Sequence, residues 1–320
     1  MLVAPDAFKG TFSATEVATA VGRGLEAHGR PTELCPIADG GEGTLEVLAP
    51  ALDATIHTVT VSDPLGRQVQ AHYGLSANTA LIEAAQASGL HLVSARERDP
   101  VAASTYGVGE LIVAAVSAGA RTVLLGVGGS ATTDGGAGAI KAMRAAGGLD
   151  GVRLAVLCDV RTPFEDAARV FGPQKGADPD QVRRLTARLH ALARRLERDP
   201  RGAPMTGAAG GLAGGLWGAL GAELVPGAAT VLDLLGFDQR MRASRAVVTG
   251  EGRLDRQSLE GKALAEVATR ARQAGVPSHA VVGSRALDYF EQRILDLQAV
   301  LEASVLEELE AAGRELAKII

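Results

Sequence analysis

Thr122-Val-Leu-Leu-Gly-Val-Gly-Gly-Ser-Ala-Thr-Thr-Asp-Gly-Gly-Ala-Gly138 decides the fold. A short apolar run, Thr122 to Leu125, gives way to glycines, hydroxyls and one acid, and a helical pattern then continues to Gly147. An apolar run that ends in glycine and leads into a helix is the repeating unit of a parallel α/β sheet. The same rhythm returns at Leu2-Val-Ala, Ala246-Val-Val-Thr and His279-Ala-Val-Val. Between Thr55 and Ala85 the texture changes. Ile56, Thr58, Val59 and Val61 lead into Asp63-Pro-Leu-Gly66, then Val69, Ala71 and Tyr73. Asp, Pro and Gly at the first, second and fourth positions suit a type I turn, so a hairpin is expected, with a third strand near Thr79-Ala-Leu-Ile82.

The expected fold is therefore α/β: a discontinuous Rossmann-like parallel-sheet domain plus a second α/β domain with a mixed sheet. The first takes residues 1–54, 100–135 and 236–320; the second, inserted, takes 55–99 and 136–235. Helix starts are well marked. Ser13 and Glu16 form a capping box ahead of Val17, Val21 and Leu25, with Gly29 and Pro31 beyond the end. Asp178-Pro-Asp-Gln repeats the device, and Val182, Leu185, Leu189, Leu192 and Leu196 follow at helical spacing. The arginines between them read as a solvated face rather than a polyanion site.

Composition narrows the function classes. At 320 residues the chain is long enough for two cores and needs no covalent staples. With 32 basic and 37 acidic side chains the net charge is −5, which offers no footprint for a nucleic-acid backbone. Cys35 and Cys158 are far apart and outside any metal or disulfide spacing. No signal peptide or membrane-length apolar run is present, so a cytoplasmic protein is expected.

The loop at 126–138 offers backbone amides, hydroxyls and a following helix start, which together suit an anion. A tight strand-to-helix turn would use the same glycines. No G-x-x-x-x-G-K-[ST] occurs, and Gly107-Val-Gly109 and Gly250-Glu-Gly252 both fail the dinucleotide fingerprint at the third glycine. The protein-kinase signature set is absent. Other polar clusters close strands in the same way: Asp6 to Gly10, Ala38 to Thr44, Cys158-Asp159 and Gly250 to Gln257. In an open α/β sheet such loops gather beyond the carboxyl ends of the strands, so one crevice is expected to hold them. Phosphoryl transfer to an alcohol needs a carboxylate at the hydroxyl, oxygen ligands for Mg²⁺ and cations or amides around the phosphate. Lys9 and Lys175 are the candidate cations, and Asp39, Glu42, Asp134, Glu251 and Asp255 the candidate acids.

The sequence resembles the bacterial glycerate kinase family. Eight segments carry the likeness in the family's order: Pro5-Asp-Ala-Phe-Lys-Gly10, Ala38-Asp-Gly-Gly-Glu-Gly-Thr44, Asp63-Pro-Leu-Gly-Arg67, Ser104-Thr-Tyr-Gly-Val-Gly-Glu110, the 126–138 loop, Phe171-Gly-Pro-Gln-Lys-Gly176, Gly207-Ala-Ala-Gly-Gly211 and Thr249-Gly-Glu-Gly-Arg-Leu-Asp255. The resemblance implies ATP-dependent phosphorylation of D-glycerate to 2-phosphoglycerate in a cleft between two domains. It also implies that Lys9, Asp39, Asp134, Glu251 and Asp255 lie near the chemistry. The expected assignments are Asp39 or Asp255 as base with Lys9 beside them, Gly128, Gly129, Ser130, Thr132, Thr133 and Lys175 around ATP, and Asp134 and Glu251 on Mg²⁺. Whether the loop holds the nucleotide or glycerate stays open. The expected partner is the small-molecule substrate, with no nucleic acid and no membrane, and a homodimer is compatible. The chain departs from the family pattern at Thr133, where Asn is usual, at Thr162-Pro-Phe164, and in a shortened loop between Asp159 and Phe171. An NAD(P)-dependent oxidoreductase of a small hydroxy acid and a non-catalytic small-anion-binding protein are the alternatives.

Overall fold

The computed structural model describes residues 1–158, 160–260 and 262–320. Its strands are β1 (Leu2–Pro5), β2 (Glu33–Leu34), β3 (Thr55–Ser62), β4 (Gln68–Ser76), β5 (Thr79–Glu83), β6 (Thr122–Gly126), β7 (Arg153–Cys158), β8 (Glu223–Pro226), β9 (Val247–Glu251), β10 (Ser278–Val282) and β11 (Val300–Glu302). The chain divides into two compact units, Met1–Asp39 with Ala228–Ile320, and Gly40–Gly227. Among the described residues no helix is long and apolar enough to cross a membrane.

In the first unit all five strands are parallel, in the order β11-β10-β9-β1-β2. Alternate side chains leave opposite faces of a strand, and both faces here are covered. Val3, Val248 and Val281 join Val17, Val21, Leu25, Leu309 and Leu316 in one apolar layer. Leu2, Ala4 and Val247 join Ile37, Phe237, Met241 and Val267 in the other. Each fully buried Leu, Val or Phe contributes about 1.5–3 kcal/mol, and these layers hold helices against both faces of the central strands β1 and β9. Ser13 and Glu16 make the expected capping box at the start of Ala14–Glu26. That helix packs so closely on Leu306–Ile319 that a Cβ on Gly24 would lie 2.0 Å from the Glu310 carbonyl.

The second unit holds a six-stranded mixed sheet, β3-β4-β5-β6-β7-β8. The β3–β4 and β4–β5 pairs are antiparallel, while β5 to β8 are parallel. The hairpin turns where expected: Gly66 N–H donates to Asp63 O at 3.0 Å, and Asp63 Oδ1 accepts from Leu65 and Arg67 N–H at 2.8 and 2.9 Å. Asp178 and Gln181 cap Pro179–Ala193 reciprocally. The α/β class with one parallel and one mixed sheet is as read from the sequence.

These units are drawn differently from the expected domains. β6 pairs with β5 and β7, which carries residues 100–135 into the mixed-sheet unit, and 40–54 go with them. The strand–glycine–helix rhythm is common to every parallel strand, and a mixed sheet has a parallel half. Rhythm identifies such a strand without saying which sheet it joins.

Candidate active site

The acid-bearing loops of the first unit meet at the carboxyl edge of its sheet. Pro5 of β1 lies opposite Gly250 of β9, so the next residues, Asp6 and Glu251, sit side by side where the two strands end. Asp6 N–H donates to Gly250 O at 2.8 Å, and Ile37 N–H to Pro5 O at 3.0 Å, which brings the segment ending in Asp39 to the same edge. Asp6, Asp39 and Glu251 are all buried. Lys9 Nζ reaches Asp39 Oδ2 at 2.7 Å, with the lysine side chain 53% exposed and the aspartate 1%. The lysine therefore links a buried carboxylate to solvent.

Burial, then the charge of Asp39, pushes the Asp6 carboxyl up to about 8, against the pull of Lys9 and the Ala7 amide. Burial pushes Glu251 up to about 7, with Ser258 and Lys262 drawing it back. Glu251 Oε1 is buried with no hydrogen-bond partner among the described residues. Carboxyls poised near neutrality in this way cluster at sites of proton transfer. Asp255 is set apart by geometry. Its Oδ1 accepts from Gln257 N–H at 2.9 Å, Arg253 lies 3.6 Å from Oδ2, and its own N–H donates to Ser258 Oγ at 3.0 Å, so it closes the turn that begins Arg256–Glu260. Asp159 lies outside the described residues.

In the second unit the loop after β6 divides into two parts. Gly128, Gly129, Ser130 and Lys175 line a cavity of about 280 Å³ together with Leu90 and Phe171. Lys175 is 3% exposed, and its Nζ donates to Ser130 Oγ at 2.9 Å and to the Thr132 carbonyl. Burial lowers this amine to about 7, partly opposed by Asp134. Thr132 and Thr133, expected at the nucleotide, are wholly buried, and neither hydroxyl has a partner among the described residues. They do not line the cavity.

Asp134, expected as a magnesium ligand, is enclosed by donors. Oδ2 accepts from Thr105 N–H at 2.9 Å and Gly138 N–H at 3.0 Å, Oδ1 from Gly136 N–H at 3.0 Å, and the Thr105 hydroxyl reaches both oxygens. The carboxylate joins the starts of Tyr106–Ser117 and Ala137–Ala145, and no lone pair is left for a cation. Several glycines of the loop answer to packing too. A Cβ on Gly126 would stand 2.5 Å from Gly40 O, and one on Gly128 2.6 Å from Gly41 Cα. Gly129, at φ +70°, is different: the nearest atom to its Cβ is 3.6 Å away. Among the described residues no group of three or more His, Cys, Asp or Glu is arranged to hold a metal ion.

Three contributors escaped the sequence reading. Asp6 was visible inside its loop but not singled out. Glu83, at the end of β5, is buried and accepts from Leu45 N–H at 2.7 Å at the start of Thr44–Ala51. Burial raises its carboxyl, a shift that Leu45 opposes. Thr105 pairs with Asp134 as described. An acid as the last residue of a buried strand was the available sign for Glu83.

A model of the glycerate kinase family matches residues 1–147 and 143–318. The glycerate kinase of Halalkalibacterium halodurans is 39% identical, over 90% of this chain and 86% of that protein. The glycerate 2-kinase of Escherichia coli K12 is 36% identical, over 89% of this chain and 85% of its own. A crystal structure from Salmonella typhimurium LT2 assigned as glycerate kinase 2 superposes with a TM-score of 0.83 at 35% identity, covering 99% of this chain and 97% of that one. With its two sheets, its strand-end acids and sequence identity along nearly the whole length, the chain belongs to the glycerate kinase family.

Proposed function

We propose that this protein transfers the γ-phosphoryl group of ATP to D-glycerate, giving 2-phosphoglycerate and ADP. The observation that carries the reading is the edge of β1 and β9, where Lys9 holds Asp39 at 2.7 Å beside two acids, Asp6 and Glu251, poised near neutral pH. In the transfer the substrate hydroxyl loses its proton as its oxygen bonds to phosphorus, and the bond from phosphorus to the ADP oxygen breaks. Asp39, oriented by Lys9, is the carboxylate that accepts the hydroxyl's hydrogen. Asp255, committed to its own turn, supports the loop. Asp6 holds or releases a proton beside Asp39 as charge moves.

Mg²⁺ supplies charge neutralisation on the phosphates. It is commonly bound through one or two carboxylates plus the phosphates themselves, which suits a site without a three-acid cage. Glu251, a hard oxygen donor whose buried Oε1 has no partner among the described residues, fits that part; Asp134 does not. The Gly129 amide region and Ser130, at the 280 Å³ cavity, fit an anionic group of the nucleotide. The net charge of −5 offers no footprint for a nucleic-acid backbone or an anionic membrane surface, which supports a small-molecule substrate.

The test is ADP release across a panel of small hydroxy acids, with phosphorus NMR of the product. Absence of ADP release with D-glycerate would sink the reading. Asp39→Asn should lower kcat by about 10²–10⁴, the usual contribution of a general base, and Asp255→Asn by less than about tenfold. The reverse order would move the base to Asp255.

A further inference from the structure

The first unit has a second cavity, at the amino ends of its strands. It has a volume of about 630 Å³, and its lining includes Arg30, Arg245, Pro277, His279, Gln298 and Ile319. Arg245 stands just before β9 and Pro277 just before β10, and the two strand starts are tied by Val247 N–H to Pro277 O at 2.9 Å. The cavity is therefore built on core backbone. Glu251 lies at the other end of β9, roughly 13–16 Å away at about 3.3 Å per residue. None of the groups here takes part in the proposed chemistry.

The lining carries no Asp or Glu side chain; its charged groups are Arg30, Arg245, the Met1 ammonium and the α-carboxylate of Ile320, so cations outnumber anions. Arg245 is exposed and makes no hydrogen bond or ion pair among the described residues. Among the described residues Arg30 commits only Nε, to Ala317 O at 3.1 Å. His279 is 4% exposed, and its Nδ1 is buried without a partner among the described residues. Burial lowers its pKa, so the imidazole is neutral at pH 7 and offers one donor and one acceptor. Two guanidinium groups and the Met1 ammonium against the single α-carboxylate of Ile320 leave a surplus of positive charge that suits an anion. Pro277 and Ile319 add an apolar wall, and the volume lies in the range of small-molecule sites.

We propose that this cavity binds a small amphipathic oxyanion, a phosphate or carboxylate on an apolar body, with Arg30 and Arg245 on the anion and His279 and Gln298 supplying polar contacts. The test uses the full chain and two probes, phenyl phosphate and benzoate, followed by calorimetry and by NMR of the histidine rings. Saturable one-site binding is expected for at least one probe, with a Kd in the range of roughly 10 µM to 1 mM. A ring resonance that is missing in His279→Gln should move on binding. Arg245→Gln should weaken binding at least about tenfold, while Asp39→Asn leaves it unchanged. The tighter probe identifies the oxyanion. Wild-type affinity in Arg245→Gln, loss of binding in Asp39→Asn, or no saturation by either probe at about 10 mM would overturn the proposal.

Discussion

Asp134→Asn separates a scaffold carboxylate from a metal ligand. An amide keeps one acceptor oxygen and places an NH₂ group where the other oxygen stood. With NH₂ at the Oδ2 position, the Thr105 and Gly138 amides both face a donor; with NH₂ at Oδ1, only the Gly136 amide does, so the second orientation wins. A stranded buried donor costs about 1–3 kcal/mol, and the bonds that survive lose their charge assistance, about 1 kcal/mol each. With the two amide bonds at Oδ2 surviving, the sum is a destabilisation of roughly 3–5 kcal/mol, equivalent to a fall in Tm of about 6–20 °C for a unit of this size. Urea and thermal unfolding followed by circular dichroism read this directly, and Mg²⁺ dependence of turnover provides the contrast. Thr105→Val should be partly redundant with it, with a coupling above about 0.5 kcal/mol in a double-mutant cycle. A variant that unfolds like wild type but needs far more Mg²⁺ would refute the scaffold role.

Stability should depend on pH with opposite signs in two windows. Asp6, raised to about 8, makes the folded chain bind more protons than the unfolded one between about pH 4 and 8, so its contribution is lost as pH rises through that range. Asp6→Asn should flatten the fall and be the more stable protein at pH 8 by thermal unfolding; an unchanged slope would remove Asp6 as its source. Lys175, lowered to about 7, does the opposite, adding stability as pH rises from about 7 towards its ordinary 10.5, and Lys175→Met should abolish that rise. Gly129→Ala should cost only about 1 kcal/mol for its positive φ, whereas Gly128→Ala drives a Cβ into the Gly41 backbone and should cost about 3 kcal/mol or more. Equal unfolding midpoints for the two alanine variants would contradict the packing account.

What was legible in the sequence was local. The Ser13–Glu16 and Asp178–Gln181 caps and the turn at Asp63–Gly66 need only neighbours a few residues apart, and each appears as read. Lys9 and Asp39 were singled out, and the structure joins them. Roles that depend on distant chain were not legible. Asp134 among hydroxyls and glycines looks the same whether it faces a cation or the amide of Thr105, 29 residues away. Gly126 and Gly128 looked like phosphate-loop residues because glycine permits close approach of any kind; here the approaching atoms are Gly40 and Gly41. The neutral-range acids at Asp6 and Glu251 arise from burial where β1 meets β9, a pairing between residues some 245 positions apart.

That same pairing bears on how the chain acquires its structure. β1 is made first, yet its neighbour β9 leaves the ribosome only after the whole of Gly40–Gly227. The contiguous unit can close its own sheet while the first 39 residues still lack β9, the neighbour that completes their place in the sheet. Domains generally fold as units during synthesis, and contacts of long sequence separation are slow to form. Assembly of the acid cluster is thus a late event, and an interrupted nascent chain would carry a finished mixed sheet and an exposed, apolar first strand.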